Sequence, residues 1–158
     1  TAPLGKTKAE SENGGLDSFG QGFWALGLGT HLSKVIQRFD FVSTLDIHRS
    51  FSKTVHNSQV DGLITPGWGG NLSFGLGYNI EKWRIGTLAT WTYEDPIIIN
   101  SQSGNLERYG TLLASLSYLH NDDWSSTVSY SDQSLIGSPI NTSLGRSVVF
   151  LLQRRWSR

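Results

Sequence analysis

Asn71-Leu72-Ser73-Phe74-Gly75-Leu76-Gly77-Tyr78-Asn79-Ile80 alternates without a break. Leu72, Phe74, Leu76, Tyr78 and Ile80 fall on one side of the chain. Asn71, Ser73, Gly75, Gly77 and Asn79 fall on the other, which is the two-residue period of a β-strand and not the 3.6-residue period of a helix. Six further segments repeat the pattern on either side of it. From Phe23 to Leu32, Trp24, Leu26, Leu28 and Leu32 oppose Ala25, Gly27, Gly29 and His31, with Phe23 off pattern. From Phe39 to Ser50, Phe39, Phe41, Leu45 and Ile47 oppose Asp40, Val42, Thr44, Asp46, His48 and Ser50. Trp83, Ile85, Ala89, Trp91 and Tyr93 then alternate with Arg84, Gly86, Leu88, Thr90, Thr92 and Glu94. Leu112, Ala114, Leu116 and Tyr118 oppose Thr111, Leu113, Ser115 and Ser117, and Trp124, Val128 and Tyr130 oppose Ser125, Thr127, Ser129 and Ser131. The last segment, Ser147 to Trp156, sets Val148, Phe150, Leu152 and Trp156 against Gln153 and Arg155.

Composition narrows what such strands build. Glycine is frequent at 18 residues and aromatics make up 11%, a mixture suited to strands and turns, so the fold class expected is all-β. The longest apolar runs, Ile97 to Ile99 and Val148 to Leu152, are far short of the roughly 20 residues of a membrane helix. The 13 basic and 13 acidic residues balance and form no basic block, so no nucleic-acid partner is expected. Cysteine is absent, which removes disulfides and thiolate metal sites. His56 and His120 stand alone, without the spacing of a metal site, and no cofactor is expected.

A soluble β-sandwich shows the same alternation, so the connections and the aromatic rings have to discriminate. The connections alternate in length: short near Ser33 to Ile36, long from Phe51 to Gly69, short near Glu81, long from Asp95 to Asn105, short at Asn121 to Asp123, long from Asp132 to Thr142. Outer-membrane barrels have short periplasmic turns and long extracellular loops, which places the C-terminus of this chain on the periplasmic side. Amphipathic rings favour the two membrane interfaces. Tyr78, Trp83, Tyr118, Trp124 and Trp156 sit beside a short turn or the C-terminus, and Trp24, Trp91, Tyr93 and Tyr130 beside the long-loop side, as two aromatic girdles require. Ser43, Thr87, Ser126 and Arg154 interrupt the apolar side, and Arg154 is close enough to the chain end for its stem to snorkel.

Ser143-Leu144-Gly145-Arg146-Ser147-Val148-Val149-Phe150 resembles the C-terminal insertion signal of outer-membrane barrels, with Ser143, Gly145, Val148 and Phe150 at its positions. That resemblance implies recognition by the barrel-assembly machinery through strand addition. Trp156 followed by Ser157 and Arg158 departs slightly from barrels that end on an aromatic. Pro3-Leu4-Gly5-Lys6, Gly20 to Thr30, and Tyr130-Ser131-Asp132 leading to Thr142-Ser143-Leu144-Gly145-Arg146 make the chain similar to the transporter family linked to aromatic-compound (phenol) degradation, itself similar to long-chain fatty-acid transporters.

The architecture expected is therefore an antiparallel transmembrane β-barrel. Residues 1–21 read as an extracellular loop and 22–158 as barrel strands. Seven strands are odd, whereas single-chain bacterial barrels have an even number, so the chain is expected to be the C-terminal portion of a larger barrel of about 12 strands, or to close with another chain. The other partners expected are outer-membrane lipids and lipopolysaccharide, in the bacterial outer membrane.

The lumen side carries Asp40, Asp46, His48, Arg84, Glu94, Glu107 and Arg155 among Ser, Thr and Gly. The plainest reading is a solvated, charge-paired interior. The sharper one makes Asp46, His48 and Glu94 a constriction, since rings of charge set selectivity in pores. Small lumen residues such as Gly27, Gly29, Gly75 and Gly77 leave room for a pore or let a plug approach. The function expected is passage of small solutes, hydrophobic or aromatic ones by the family resemblance. The alternative is a non-conducting barrel that anchors a partner complex. A barrel lipid hydrolase is more remote: His31-Leu32-Ser33 and His48-Arg49-Ser50 place His and Ser on one face, as a lipid A deacylase does, yet neither is followed by that family's Asn-Ala, and no enzymatic role is expected.

Overall fold

The structure is a computed structural model that describes residues 23–56, 61–137, 139–140, 142 and 145–156. The expected extracellular loop 1–21 lies outside the described residues, as do Ser143 and Leu144 of the insertion signal and the Pro3-Leu4-Gly5-Lys6 motif. The described chain is all β, antiparallel and without helix. Its strands are β1 (Ala25–Ile36), β2 (Phe39–Ser50), β3 (Lys53–His56), β4 (Asp61–Thr65), β5 (Trp68–Ile80), β6 (Trp83–Glu94), β7 (Ile98–Ile99), β8 (Gln102–Ser103), β9 (Glu107–Leu119), β10 (Trp124–Asp132) and β11 (Arg146–Arg154).

The seven alternating segments form one sheet in the order β1-β2-β5-β6-β9-β10-β11, a meander in which each strand hydrogen-bonds to its neighbour. Backbone bonds at the strand ends show the antiparallel sense: Phe51 N–H to Trp24 O, Asn79 N–H to Arg38 O, Asp95 N–H to Trp68 O and Leu119 N–H to Lys82 O, each 2.8 Å. The register keeps like faces together. Val128 lies opposite Leu116 on one side and Phe150 on the other, and Thr127 opposite Ser117. A one-residue slip would have mixed the faces, so the pairing follows the polarity pattern.

Two expectations change. The turn between β1 and β2 is Gln37–Arg38, and Ser33–Ile36 belongs to β1; Gln37 takes φ of 54°, the left-handed geometry that reverses the chain in two residues. The two long connections 51–69 and 95–105 are not plain loops, because β3, β4, β7 and β8 make a second sheet in that order. Their β-branched Val55, Ile64 and Ile99 pack together with Phe23, the residue that broke the alternation ahead of β1. The seven-stranded sheet is also not closed: β1 and β11 are its two edges.

The described residues fall into two compact units. One holds Asp46–Gly70, Tyr93–Glu107 and the described residues up to Gly29, and so contains the small sheet and its core. The other holds Thr30–Leu45, Asn71–Thr92 and the described residues from Arg108 on, mostly sheet with no comparable apolar core.

Burial in the long strands is inverted relative to a soluble sheet. Phe74 is 52% exposed and Ile85 53%, whereas their polar-side neighbours Ser73 and Gly86 are buried. Along β2, Phe39, Phe41, Leu45 and Ile47 are exposed while Asp40, Val42, Thr44, Asp46 and His48 are half-buried. The edge strands are exposed almost throughout, including Leu28 at 81% and Phe150 at 68%.

Candidate functional site: the polar face

Glycines on the polar face decide how that face is filled. A Cβ at Gly77 would lie 2.3 Å from Asp40 Oδ1 and 2.6 Å from Arg84 Nη2, so the ion pair of β2 and β6 lies directly over β5. Arg84 binds Asp40 as a fork, Nη2 to Oδ1 at 2.6 Å and Nε to Oδ2 at 3.0 Å, and Asn79 Nδ2 donates to the same Oδ2 at 3.0 Å. Both carboxylate oxygens are thus satisfied by planar, charge-assisted geometry. A Cβ at Gly75 would lie 2.4 Å from Val42 Cγ1. The space directly over Gly75 and Gly77 is therefore occupied by neighbouring side chains.

Hydroxyl and amide pairs carry this pattern across the sheet. Ser73 meets Thr90 at 2.9 Å, the Thr92 hydroxyl donates to Asn71 Oδ1 at 2.7 Å, Ser117 meets Thr127 at 2.8 Å, and Ser131 meets Ser147 at 2.8 Å. Cross-strand polar pairs of this kind each contribute about 0.2–1 kcal/mol and fix register.

In the unit that holds the small sheet, the structure brings together the residues expected at the mouth. His48 Nε2 is 3.3 Å from Glu94 Oε1, and Asp46 and Glu107 act electrostatically on Glu94. Glu94 lies across Gly69, where a Cβ would be 2.0 Å from its Oε2. His48 itself rides over Gly27, its Cβ 3.0 Å from where a Gly27 Cβ would be. Arg155, expected on the same face, lies just past β11 and is exposed; its backbone N–H donates to Asp123 O at 2.7 Å.

The long-loop ends carry two clasps of one design, which polarity alternation does not signal. Tyr93 donates through its hydroxyl to Asp95 Oδ1 at 2.8 Å, and Tyr130 to Asp132 Oδ2 at 2.7 Å. Asp95 also accepts the Trp68 N–H at 3.0 Å, and this bond, with the Tyr93 hydroxyl, holds its carboxyl below the usual carboxylate range. Asp132 is buried at 2% and accepts from the Ser134 N–H, the Ser134 hydroxyl and Arg146 Nε at 2.6, 2.5 and 2.8 Å. The Tyr-x-Asp spacing was visible in both segments, and i, i+2 proximity in extended chain is its signal.

Several of the aromatic residues expected in the girdles pack on other rings. Trp83 packs on Tyr118 at 4.5 Å between ring centroids, and Phe39 on Tyr78 at 4.8 Å. Arg154 stacks on Trp124 and Trp156, 5.4 and 3.8 Å from the ring centroids, so its charge is held between two rings as well as carried on a flexible stem. Trp91 meets Phe74 edge-on at 6.3 Å, and Trp24 is 63% exposed. Of the insertion-signal residues, Val148 and Phe150 lie exposed on edge strand β11, and Gly145 N–H donates to Gln133 Oε1 at 2.8 Å.

Other histidines have separate partners: His56 pairs with Asp61, and His120 Nε2 lies 3.0 Å from Ser126 Oγ. Among the described residues no group of three or more His, Asp and Glu is arranged to hold a metal. No protein-family model matches the sequence, and comparison with curated proteins returns no match.

Proposed function

We propose that this chain is part of a transmembrane β-barrel of the bacterial outer membrane, its apolar face toward lipid and its polar face toward the lumen, and that the complete barrel passes small solutes. The observation that carries this is the inversion of burial: exposed Phe, Leu, Ile and Trp dominate one face, with paired polar side chains half-buried on the other. In water such a face is far larger than the apolar patches that monomeric proteins expose, whereas in lipid it is the ordinary barrel exterior. The open edges β1 and β11 support closure by further strands or another chain, because unpaired backbone groups in hydrocarbon cost several kcal/mol each. The same edge at β11, carrying Val148 and Phe150, offers the barrel-assembly machinery a strand to pair with.

Solute charge is read at the Asp46, His48, Glu94 and Glu107 cluster. The full-length protein in planar bilayers should conduct with cation preference, and Asp46→Asn with Glu94→Gln should reduce that preference; conductance with unaltered selectivity removes the cluster from the constriction. A sealed scaffold is the second reading, favoured by the way Val42, Asp40 and Arg84 cover Gly75 and Gly77. Absence of any conductance or liposome swelling from correctly inserted protein would select it.

A further inference from the structure

The apolar face is not uniformly filled. Within the unit containing Asn71–Thr92, a groove of about 610 Å³ is lined by Leu32 of β1, Phe41 and Ser43 of β2, Phe74 and Leu76 of β5 and Thr87 of β6. These six positions belong to the apolar face by alternation, and the intervening Ser33, Val42 and Gly75 also border the groove. Ser43 and Thr87 are two of the small residues that interrupt it, so the depression is where the bulky row is missing. Its volume is within the roughly 300–1,000 Å³ of small-molecule sites.

Lys34 lines the same groove. It shares the apolar face with Leu32, is exposed, and stands two residues, roughly 7 Å, from the end of β1 at the tight Gln37–Arg38 turn. A cation on a lipid-facing surface is tolerated near an interface and favoured beside an anionic headgroup. The short-turn side is the periplasmic side in the reading proposed above, and the leaflet there is built of glycerophospholipid. Apolar walls for a hydrocarbon chain and one ammonium group at the leaflet's polar edge match the two halves of such a lipid.

We infer that the groove between Phe41, Phe74 and Leu76 holds one acyl chain of a periplasmic-leaflet glycerophospholipid, with the Lys34 ammonium group against its phosphate. The inference rests on the membrane reading, and the test separates the two. Full-length protein is first inserted into phosphatidylethanolamine–phosphatidylglycerol vesicles, with insertion read by protease protection. It is then extracted in detergent, and phosphatidylglycerol retention is read by native mass spectrometry, with lipopolysaccharide as competitor. One phosphatidylglycerol should be retained per protein. Retention should fall about fivefold in Lys34→Gln, and likewise when Ser43→Leu and Thr87→Leu fill the groove, with insertion unchanged. Inserted protein that retains no phospholipid, retains it equally in the variants, or prefers lipopolysaccharide overturns the groove assignment alone. Failure of the unsubstituted protein to insert overturns the membrane reading and the groove with it.

Discussion

Gly77→Ala tests how the polar face is filled. In a strand, alanine is ordinarily better than glycine by roughly 0.5–1 kcal/mol, because glycine loses more conformational freedom on folding. Here the added Cβ would lie 2.3 and 2.5 Å from the two Asp40 oxygens and 2.6 Å from Arg84 Nη2, so the pair has to move by about 1 Å to reach ordinary contact. A shift of that size opens bonds of 2.6 and 3.0 Å beyond useful length. Hydrogen bonds to charged groups contribute about 1.5–3 kcal/mol, and exposed ion pairs about 0–1. With side chains 43% and 24% exposed, the Arg84–Asp40 pair falls between, at about 1–2 kcal/mol. Gly77→Ala should therefore destabilise by about that much, less the small intrinsic gain of alanine. Asp40→Ala should cost a similar amount by removing the same bonds. The decisive variant is the double one: with Asp40 truncated only the flexible guanidinium end of Arg84 lies near the new methyl and, its partner gone, it can swing away, so Gly77→Ala should become neutral or stabilising by up to about 0.5 kcal/mol. The assay is urea unfolding of vesicle-inserted full-length protein followed by tryptophan fluorescence, with the m-value checked for constancy. Additive costs would refute the placement of Asp40 and Arg84 over β5, and with it the assignment of these strands' polar faces.

The clasps make separate predictions. Asp132→Ala removes the acceptor of four short contacts, so amides in the described part of 132–146 should exchange roughly tenfold faster, while exchange in β5 and β6 stays as it was; equal exchange in the variant and the unsubstituted protein would mean the clasp holds nothing. Asp95 has a carboxyl shifted down from 3.8, so its stabilising effect is fully present above that value and is lost as pH falls through the lower folded value. The stability difference between the unsubstituted protein and Asp95→Asn should accordingly be constant at neutral pH and shrink only in strong acid. A difference independent of pH down to the acid limb would show that the Trp68 N–H and Tyr93 hydroxyl do not favour the carboxylate.

What the sequence revealed depended on the range of each interaction. The bounds of β2 and β6, Phe39–Ser50 and Trp83–Glu94, follow from alternation alone, since polarity with a period of two is set residue by residue. β9 begins earlier than its pattern, because Glu107 to Gly110 is too polar to alternate visibly and is held by pairing, including the Arg108–Ile140 bridge. The strands of the small sheet are two to five residues long, shorter than any period can register, and their common core with Phe23 and Ile99 is assembled from distant segments. The same limit applies to the site. Asp40, Arg84, His48 and Glu94 were legible as polar-face residues, but which carboxylate meets which cation depends on the register between strands. Asp132 and Asp95 are the opposite case: their Tyr-x-Asp spacing is local, but alternation of polarity does not mark either carboxylate as the acceptor of a clasp.

In the barrel proposed above, glycine placement bears on how open the lumen is. Along β5 the polar positions are small, yet the space over three glycines is filled from neighbouring strands: Val42 over Gly75, Asp40 and Arg84 over Gly77, Glu94 over Gly69. Glycine here lets long side chains lie flat against the sheet wall. A flat-lying side chain narrows a lumen less than one that projects inward, so a filled wall and an open channel are compatible. What the wall cannot tolerate is a larger residue at these glycines, because the flat side chains would be driven toward the lumen axis and their hydrogen bonds broken. Conductance and stability should therefore fall together at Gly75 and Gly77 in a conducting barrel, whereas in a sealed one only stability has anything to lose.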